Sequence, residues 1–520
     1  MEASTVPDAS AIPDNENTAL YGRCLALGLA LLLVLRLGAL YLSQADLFFD
    51  EAQYWAWSLD PAFGYFSKPP LIAWIIGATT SLCGMSEFCI RLASPFLHTL
   101  TAIFLFFVAR SLYGPRIGLW SALAFATLPG VSLSASLIST DVPLLTCWAF
   151  ALLAWTKLLE TRAWTWAFAL GLAIGIGLLA KYAMIYFVLC AALFVAIEPS
   201  ARWLFRDPRG LGTVGISLGV ATLLITPNIL WNVTNGLVTF SHTAANAKWS
   251  GTLFHPLKAL EFLGAQFGVF GPLLFAALLF VSWRMIKGDE IGRSGGATTG
   301  LAHPGRMLLS FSVPVILLIT CQALLSRAHA NWAAVAYPAA TILVTAMLFQ
   351  ENRKRWFQLA FSLHLLVLFV LAISFAMAPQ IARISPGTPF KRLLGWEALA
   401  GVTQAKLQER KFAAILTDDR SVTAELTYYL RDASVPILAW RPLPVPRDHF
   451  ELTRPFIGGQ SGDPVLFVTL RQQSNYVINK FGAADLLGKE EVSSGGDLKR
   501  HVYFYALSEY RQDGSRQTRP

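Results

Sequence analysis

Charge is scarce in this chain: Asp, Glu, Lys and Arg make up only 14% of its 520 residues, against 55% hydrophobic. That balance excludes an ordinary soluble protein. Cysteine is scarce too, and the six present show no metal-ligand spacing, so there is no cysteine-based metal centre to expect. Cys24, Cys147, Cys190 and Cys321 read as small residues in or beside apolar segments. Cys83 and Cys89 flank a short stretch that could face an oxidising compartment, which leaves a disulfide open. Residues 1–18 lack a basic region ahead of an apolar core, so they read as a disordered cytoplasmic tail rather than a cleavable signal. The net charge of +9 comes from short basic loops, not from one basic face, which argues against nucleic acid as a partner.

What the chain has in abundance is long apolar runs. They predict an α-helical polytopic membrane protein with about eleven spans. The expected spans are 20–43, 91–113, 117–135, 142–160, 163–180, 182–198, 211–231, 257–283, 306–326, 331–349 and 356–378. The apolar stretch 69–83 opens with Pro69-Pro70 and is too short to span, so it reads as an interfacial helix. Arg110, Arg116, Lys157, Arg162, Arg202, Arg206, Arg209, Arg284, Lys287, Arg293, Arg306, Arg353, Lys354 and Arg355 fall in alternate loops. The positive-inside rule makes those loops cytoplasmic, together with the N-terminus. A transmembrane domain over 19–379 with an external loop at 44–90 follows. Residues 287–305 read as a flexible cytoplasmic loop.

From residue 380 the composition becomes that of a soluble domain. Phe412–Thr417, Val465–Leu470 and His501–Ala506 have strand character, and Ser421–Arg431 a helical pattern. An odd span count places this small α/β domain, 380–520, outside the membrane on the same side as the loop 44–90.

That same side holds nearly every polar residue out of keeping with a membrane. Asp50 and Glu51 follow the first span directly, among aromatics, where acids are costly to desolvate. Asp50 is the candidate base, and Glu51, about 100° away on a helix, could orient it, touch a metal or pair with a lysine. Lys68 is held by Pro69-Pro70 over a helix start, a contact suited to phosphate. Asp141 begins a span and is a third candidate acid, with ordinary N-capping as its alternative. Lys181 and Arg327 are further cations for an anionic substrate, and Tyr54, Tyr182, Asn232, His242 and His329 would line its pocket. A divalent metal ion between Asp50 and His242 stays open, although a lone His is a weak metal signal. A transporter or lipid flippase is the rival reading, but no repeated halves are visible.

The stretches Phe49-Asp50-Glu51-Ala52-Gln53-Tyr54-Trp55, Lys68-Pro69-Pro70-Leu71, Thr140-Asp141-Val142-Pro143 and Ala180-Lys181-Tyr182 resemble a known family. So do Glu87-Phe88-Cys89-Ile90-Arg91-Leu92, Pro227-Asn228-Ile229-Leu230-Trp231-Asn232 and Ala330-Asn331-Trp332. The resemblance is to the GT-C superfamily of polytopic glycosyltransferases, which includes protein O-mannosyltransferases and lipid A aminoarabinose transferases. It implies a polyprenyl-phosphate sugar as donor and an envelope glycolipid, glycan or protein as acceptor. It also implies inversion at the anomeric carbon, at the outer face of a bacterial inner membrane. Asp50 matches the family's essential acid and Lys68 the lysine that would contact the donor phosphate. One departure stands out: Ser67 occupies the position where aminoarabinose transferases carry an acid.

Overall fold

Apolar sequence that cannot leave backbone groups unpaired in lipid must form helices, and the membrane part of the chain is helical throughout. The computed structural model describes residues 14–247, 253–289, 303–385, 389–458, 463–495 and 499–511. Among these, seven helices are long and apolar enough to cross a membrane, or nine if each of two bent pairs is one span. Eleven were expected, and the difference has local causes. The run 117–135 breaks after helix Pro115–Thr127, because Pro129 starts a new turn, and helix Trp164–Ala180 stops at 17 residues. The run 257–283 is two helices, Pro256–Val269 and Pro272–Ile286, bent by 117°. Gly271 and Pro272 make that corner; Gly271 has φ of +89°, a conformation costly for other residues. The first helix begins at Asp14, inside the expected tail, whose residues 1–13 lie outside the described residues, as do 290–302 of the loop 287–305.

Two helices set the frame of the polar region. Trp164–Ala180 lies against Pro208–Thr234 through Gly171 and Gly175, a small-residue pair four apart. A Cβ at Gly171 would come within 2.6 Å of the Ser217 carbonyl, and one at Gly175 within 2.7 Å of Leu224. This close approach sets Tyr182, just past the first helix, within hydrogen-bond reach of Asn228 and Asn232 on the second. Below them the bundle interior is filled by Trp148, Phe187 and Phe311, with ring centroids 4.7–6.5 Å apart.

The C-terminal region carries a five-stranded sheet in the order β2-β1-β3-β5-β4. The strands are β1 (Ile415–Thr417), β2 (Ile437–Ala439), β3 (Val465–Thr469), β4 (Phe481–Ser493) and β5 (Lys499–Tyr510). The first three pair in parallel, and β5 runs antiparallel to β3 and β4. Helix Arg420–Tyr429 packs Val422 and Leu426 onto one face of this sheet.

The other side of the same helix packs on the membrane part. Tyr428 meets Trp55 edge-on at 5.0 Å and donates to the Met85 carbonyl at 2.8 Å. Tyr429 accepts from the Leu47 amide at 3.0 Å and donates to Glu87. The Trp396 amide donates to Asp46 at 2.7 Å. Cys83 and Cys89, in the segment under this contact, are joined by a disulfide.

Glu425 sits within this helix fully buried, with neither carboxyl oxygen hydrogen-bonded. Burial, and then the carboxylates of Asp46, Glu51 and Glu87, raise its pKa well above the usual range. The native protein therefore keeps a proton that the unfolded chain releases above its ordinary carboxyl pKa. Stability must then fall as pH rises from that value towards the native one. Glu425→Met, which removes the unpaired carboxyl at similar length, should raise stability at pH 8 by about 1–3 kcal/mol and much less at pH 5. Thermal unfolding at the two pH values checks this; equal destabilisation at both would refute it.

Candidate active site

Helix Phe49–Ser58 follows the first span and turns about 100° per residue, so its two adjacent acids must diverge. Glu51 points inward. It forms an ion pair with Arg91 at 2.7 Å, with both side chains almost fully buried, and accepts from the Ile138 amide at 2.8 Å and the Phe48 amide at 2.9 Å. Arg91 in turn donates to the carbonyls of Ala45 and Asp46. Glu51, expected among the catalytic acids, is instead committed to tying the first loop to helix Glu87–Arg91. The sequence left pairing with a lysine open to it; the structure supplies an arginine, Arg91, instead.

Asp50 points the other way, with Gln53 and Tyr54 on the adjoining turn. Its Oδ1 accepts from Arg420 at 2.9 Å, and the same guanidinium nitrogen donates to Gln53 at 3.1 Å. Arg420 is the first residue of the C-terminal domain helix, 370 residues along the chain. Asp50 Oδ2 has no partner among the described residues, and the side chain is 35% exposed.

Asp141 is more than an N-terminal residue of its helix. Its Oδ1 accepts from Lys181 at 2.6 Å and its Oδ2 from Asn331 at 2.7 Å, so one carboxylate ties three segments together. Tyr54 is buried between the two acids. Burial first, then the Asp50 charge, raises its pKa well above normal, and Arg420 and Asp141 are also felt there.

The Lys68 ammonium has no hydrogen bond or ion pair among the described residues, although its carbonyl accepts from the Tyr65 amide at 3.1 Å. Its pKa is lowered first by burial and then by the Lys181 ammonium, against the pull of Asp50 and Asp141. The segment carrying it is clamped from behind. Asn228 donates to the Phe63 carbonyl at 2.7 Å and Thr239 to the Tyr65 carbonyl at 2.7 Å. Gly64 is required here, since a Cβ would come within 2.3 Å of Trp231. Tyr182 donates to Asn228 at 2.8 Å, and Asn232 donates to the Tyr182 hydroxyl at 3.3 Å while accepting from the Thr239 amide. Asn232 is fully buried, and both it and Tyr182, expected in the substrate pocket, serve this clamp.

Arg327 has a buried Nε without a partner. His329 lies near it and feels Lys181 and Lys68 as well; partial desolvation of its ring and then Arg327 lower its pKa. His242 packs edge-on against Phe66 at 5.4 Å, and burial, then Lys68 and Arg420, push its pKa down to about 4. The residues do not fit a resident divalent ion. Asp50 is engaged by a guanidinium, His242 sits in a field of cations, and no three His, Cys, Asp or Glu side chains converge among the described residues.

Arg420, Gln53 and Asn331 were not among the expected site residues. Asn331 had a signal, in the Ala330-Asn331-Trp332 stretch, whereas Arg420 had none. The assembled site holds Lys68, Lys181, Arg327 and Arg420 against two carboxylates, Asp50 and Asp141.

Residues 67–231 match the family described as dolichyl-phosphate-mannose-protein mannosyltransferase. The chain is 37% identical over 417 residues to lipid A galacturonosyltransferase RgtD of Rhizobium johnstonii, covering 80% of this chain and 84% of that protein. It is 32% identical over 172 residues to an undecaprenyl phosphate-aminoarabinose arabinosyl transferase of Pseudomonas fluorescens, covering 31% of this chain and 30% of that one. The apo crystal structure of ArnT from Cupriavidus metallidurans has the same fold, with a TM-score of 0.62 at 17% identity over 94% of this chain and 98% of that one. Kinship over four fifths of the sequence sets the transporter alternative aside: the chain belongs to the GT-C superfamily of membrane glycosyltransferases and is itself a glycosyltransferase.

Proposed function

We propose that this protein transfers a hexuronate from a polyprenyl-phosphate donor to a hydroxyl of lipid A, with inversion, at the outer face of a bacterial inner membrane. The observation that carries the reading is Lys68, a half-buried ammonium without a protein partner, beside an acid with one free oxygen. A cation partly withdrawn from water and left unpaired calls for an anion, and the donor phosphate supplies one. The cations of the site outnumber its carboxylates, which favours an acidic sugar and disfavours an amino sugar. Ser67 has the same consequence, because no carboxylate stands there to meet an amine. The likeness to a lipid A galacturonosyltransferase supports sugar and acceptor together.

In the reaction, the acceptor oxygen attacks the anomeric carbon from the side opposite the phosphate. The bond from that carbon to the phosphate oxygen breaks, and its electron pair leaves with polyprenyl phosphate. Lys68 and Arg327 neutralise the charge that grows there, while Lys181 is steadied by Asp141. Asp50 Oδ2 takes the hydroxyl proton. An ionised acid with a free oxygen suits a hydroxyl nucleophile and would repel a phosphate one.

Orientation follows from charge. The site residues lie in loops opposite to the basic ones, so by the positive-inside rule they face the periplasm, with the C-terminal domain, and the N-terminus is cytoplasmic. The disulfide between Cys83 and Cys89 suits that compartment. Mass spectrometry of lipid A from cells with and without the protein tests the reading. One added hexuronate should appear only with the protein; an added aminopentose, or no change, would refute it.

A further inference from the structure

The guanidinium of Arg420 is only half used. Nη1 serves Asp50 and Gln53, at 2.9 and 3.1 Å, whereas Nη2 and Nε have no partner among the described residues. The group lies over the Phe49 ring, with Cζ 4.8 Å from its centroid, and its side chain is 35% exposed. It stands at the first turn of a ten-residue helix capped by Asp419, which accepts from the Ser421 amide at 2.9 Å. A planar fork with one edge fixed and one edge open is built to take a carboxylate with two parallel hydrogen bonds. The helix start adds to its preference for an anion.

We propose that Arg420 binds the carboxylate of the donor sugar, so that the C-terminal domain sets sugar specificity. The inference rests on the hexuronate reading above and goes beyond it by naming the residue. Arg420 lies beside the proposed base, so a group it holds belongs to the ring that reacts. Lys68 feels the Arg420 charge as a repulsion. A hexuronate on phosphate carries two anions, on the two carbons that flank the ring oxygen, and relieves that repulsion by placing one on each cation. A neutral hexose relieves half of it, and an amino sugar adds a third cation.

The test uses the full-length protein in lipid nanodiscs with lipid A as acceptor. Two donors are compared, polyprenyl-phosphate galacturonate and polyprenyl-phosphate galactose, and the readout is the ratio of their kcat/KM values. The wild type should favour galacturonate by on the order of 100-fold, the scale of hydrogen bonds to a charged group. Arg420→Gln should bring the ratio to within about threefold, and Arg420→Lys, which keeps the charge but loses the fork, to about tenfold. Both variants also disturb Asp50, so the ratio decides rather than either rate. Equal losses with both donors, leaving the ratio unchanged, would overturn the proposal and leave Arg420 as a positioning residue for Asp50. Should Arg420→Gln fail to fold, an unchanged ratio in Arg420→Lys overturns it as well. A wild type that does not favour galacturonate would instead refute the hexuronate reading itself.

Discussion

Asp50→Asn should leave a folded protein that transfers sugar about 10²–10⁴ times more slowly, the range spanned by loss of a general base. Asparagine keeps an oxygen for Arg420 at the Oδ1 position but cannot take a proton at the other. The pair it disturbs is over a third exposed on both sides, and such pairs contribute little to stability, about 0–1 kcal/mol. Turnover of the purified variant, read beside its thermal unfolding, separates the two quantities. Retention of more than a tenth of the wild-type rate would remove Asp50 as the base and point to an acceptor that arrives already ionised.

One residue further on, the same kind of substitution has the opposite consequence. Glu51→Gln leaves Arg91 charged, almost fully buried and without its counter-ion. Breaking such a pair on one side costs about 3–5 kcal/mol, a large part of the stability of most domains. The expected result is a steep fall in the amount of folded protein, with activity per folded molecule nearly intact. The reciprocal change, Arg91→Met, strands the Glu51 carboxylate and should cost as much. Combining them as Glu51→Gln with Arg91→Met removes both charges, and should restore most of what either loses alone. Detergent-resistant yield and unfolding midpoint read this out. A double variant worse than both singles would show that the pair does more than balance charge.

Asp50 and Glu51 also mark how far the sequence could be read. That one acid faces the site and its neighbour does not follows from helical geometry alone. Which is which required Arg91, a residue visible in a motif but indistinguishable there from any basic span end. Asp141, Lys181 and Lys68 were conspicuous because charge is so costly among apolar runs, and the fold brings them together. Arg420 was invisible for the converse reason: in a soluble domain, an arginine after a capping aspartate is ordinary. Tyr182 and Asn232 drew attention as polar groups near the site, yet polarity alone cannot separate a ligand contact from a buried clamp.

The same limit holds for the architecture. β1, β3 and β5 have apolar cores and were anticipated, whereas β2 is only three residues long. β4 is long but lies at the sheet edge with most side chains outside the core, so its sequence shows little apolar alternation. Continuous helices are fewer than the expected spans where Pro129, Gly271 and Pro272 interrupt runs whose hydropathy is continuous.

The contact between Asp50 and Arg420 joins the start of the chain to a residue four fifths of the way along it. During synthesis, all the membrane helices are made before that arginine leaves the ribosome. A chain cut short at the end of the helices would lack both the group that meets Asp50 and the Tyr428 packing on Trp55 that supports its helix. The site is therefore complete only when the last domain has folded onto the finished bundle.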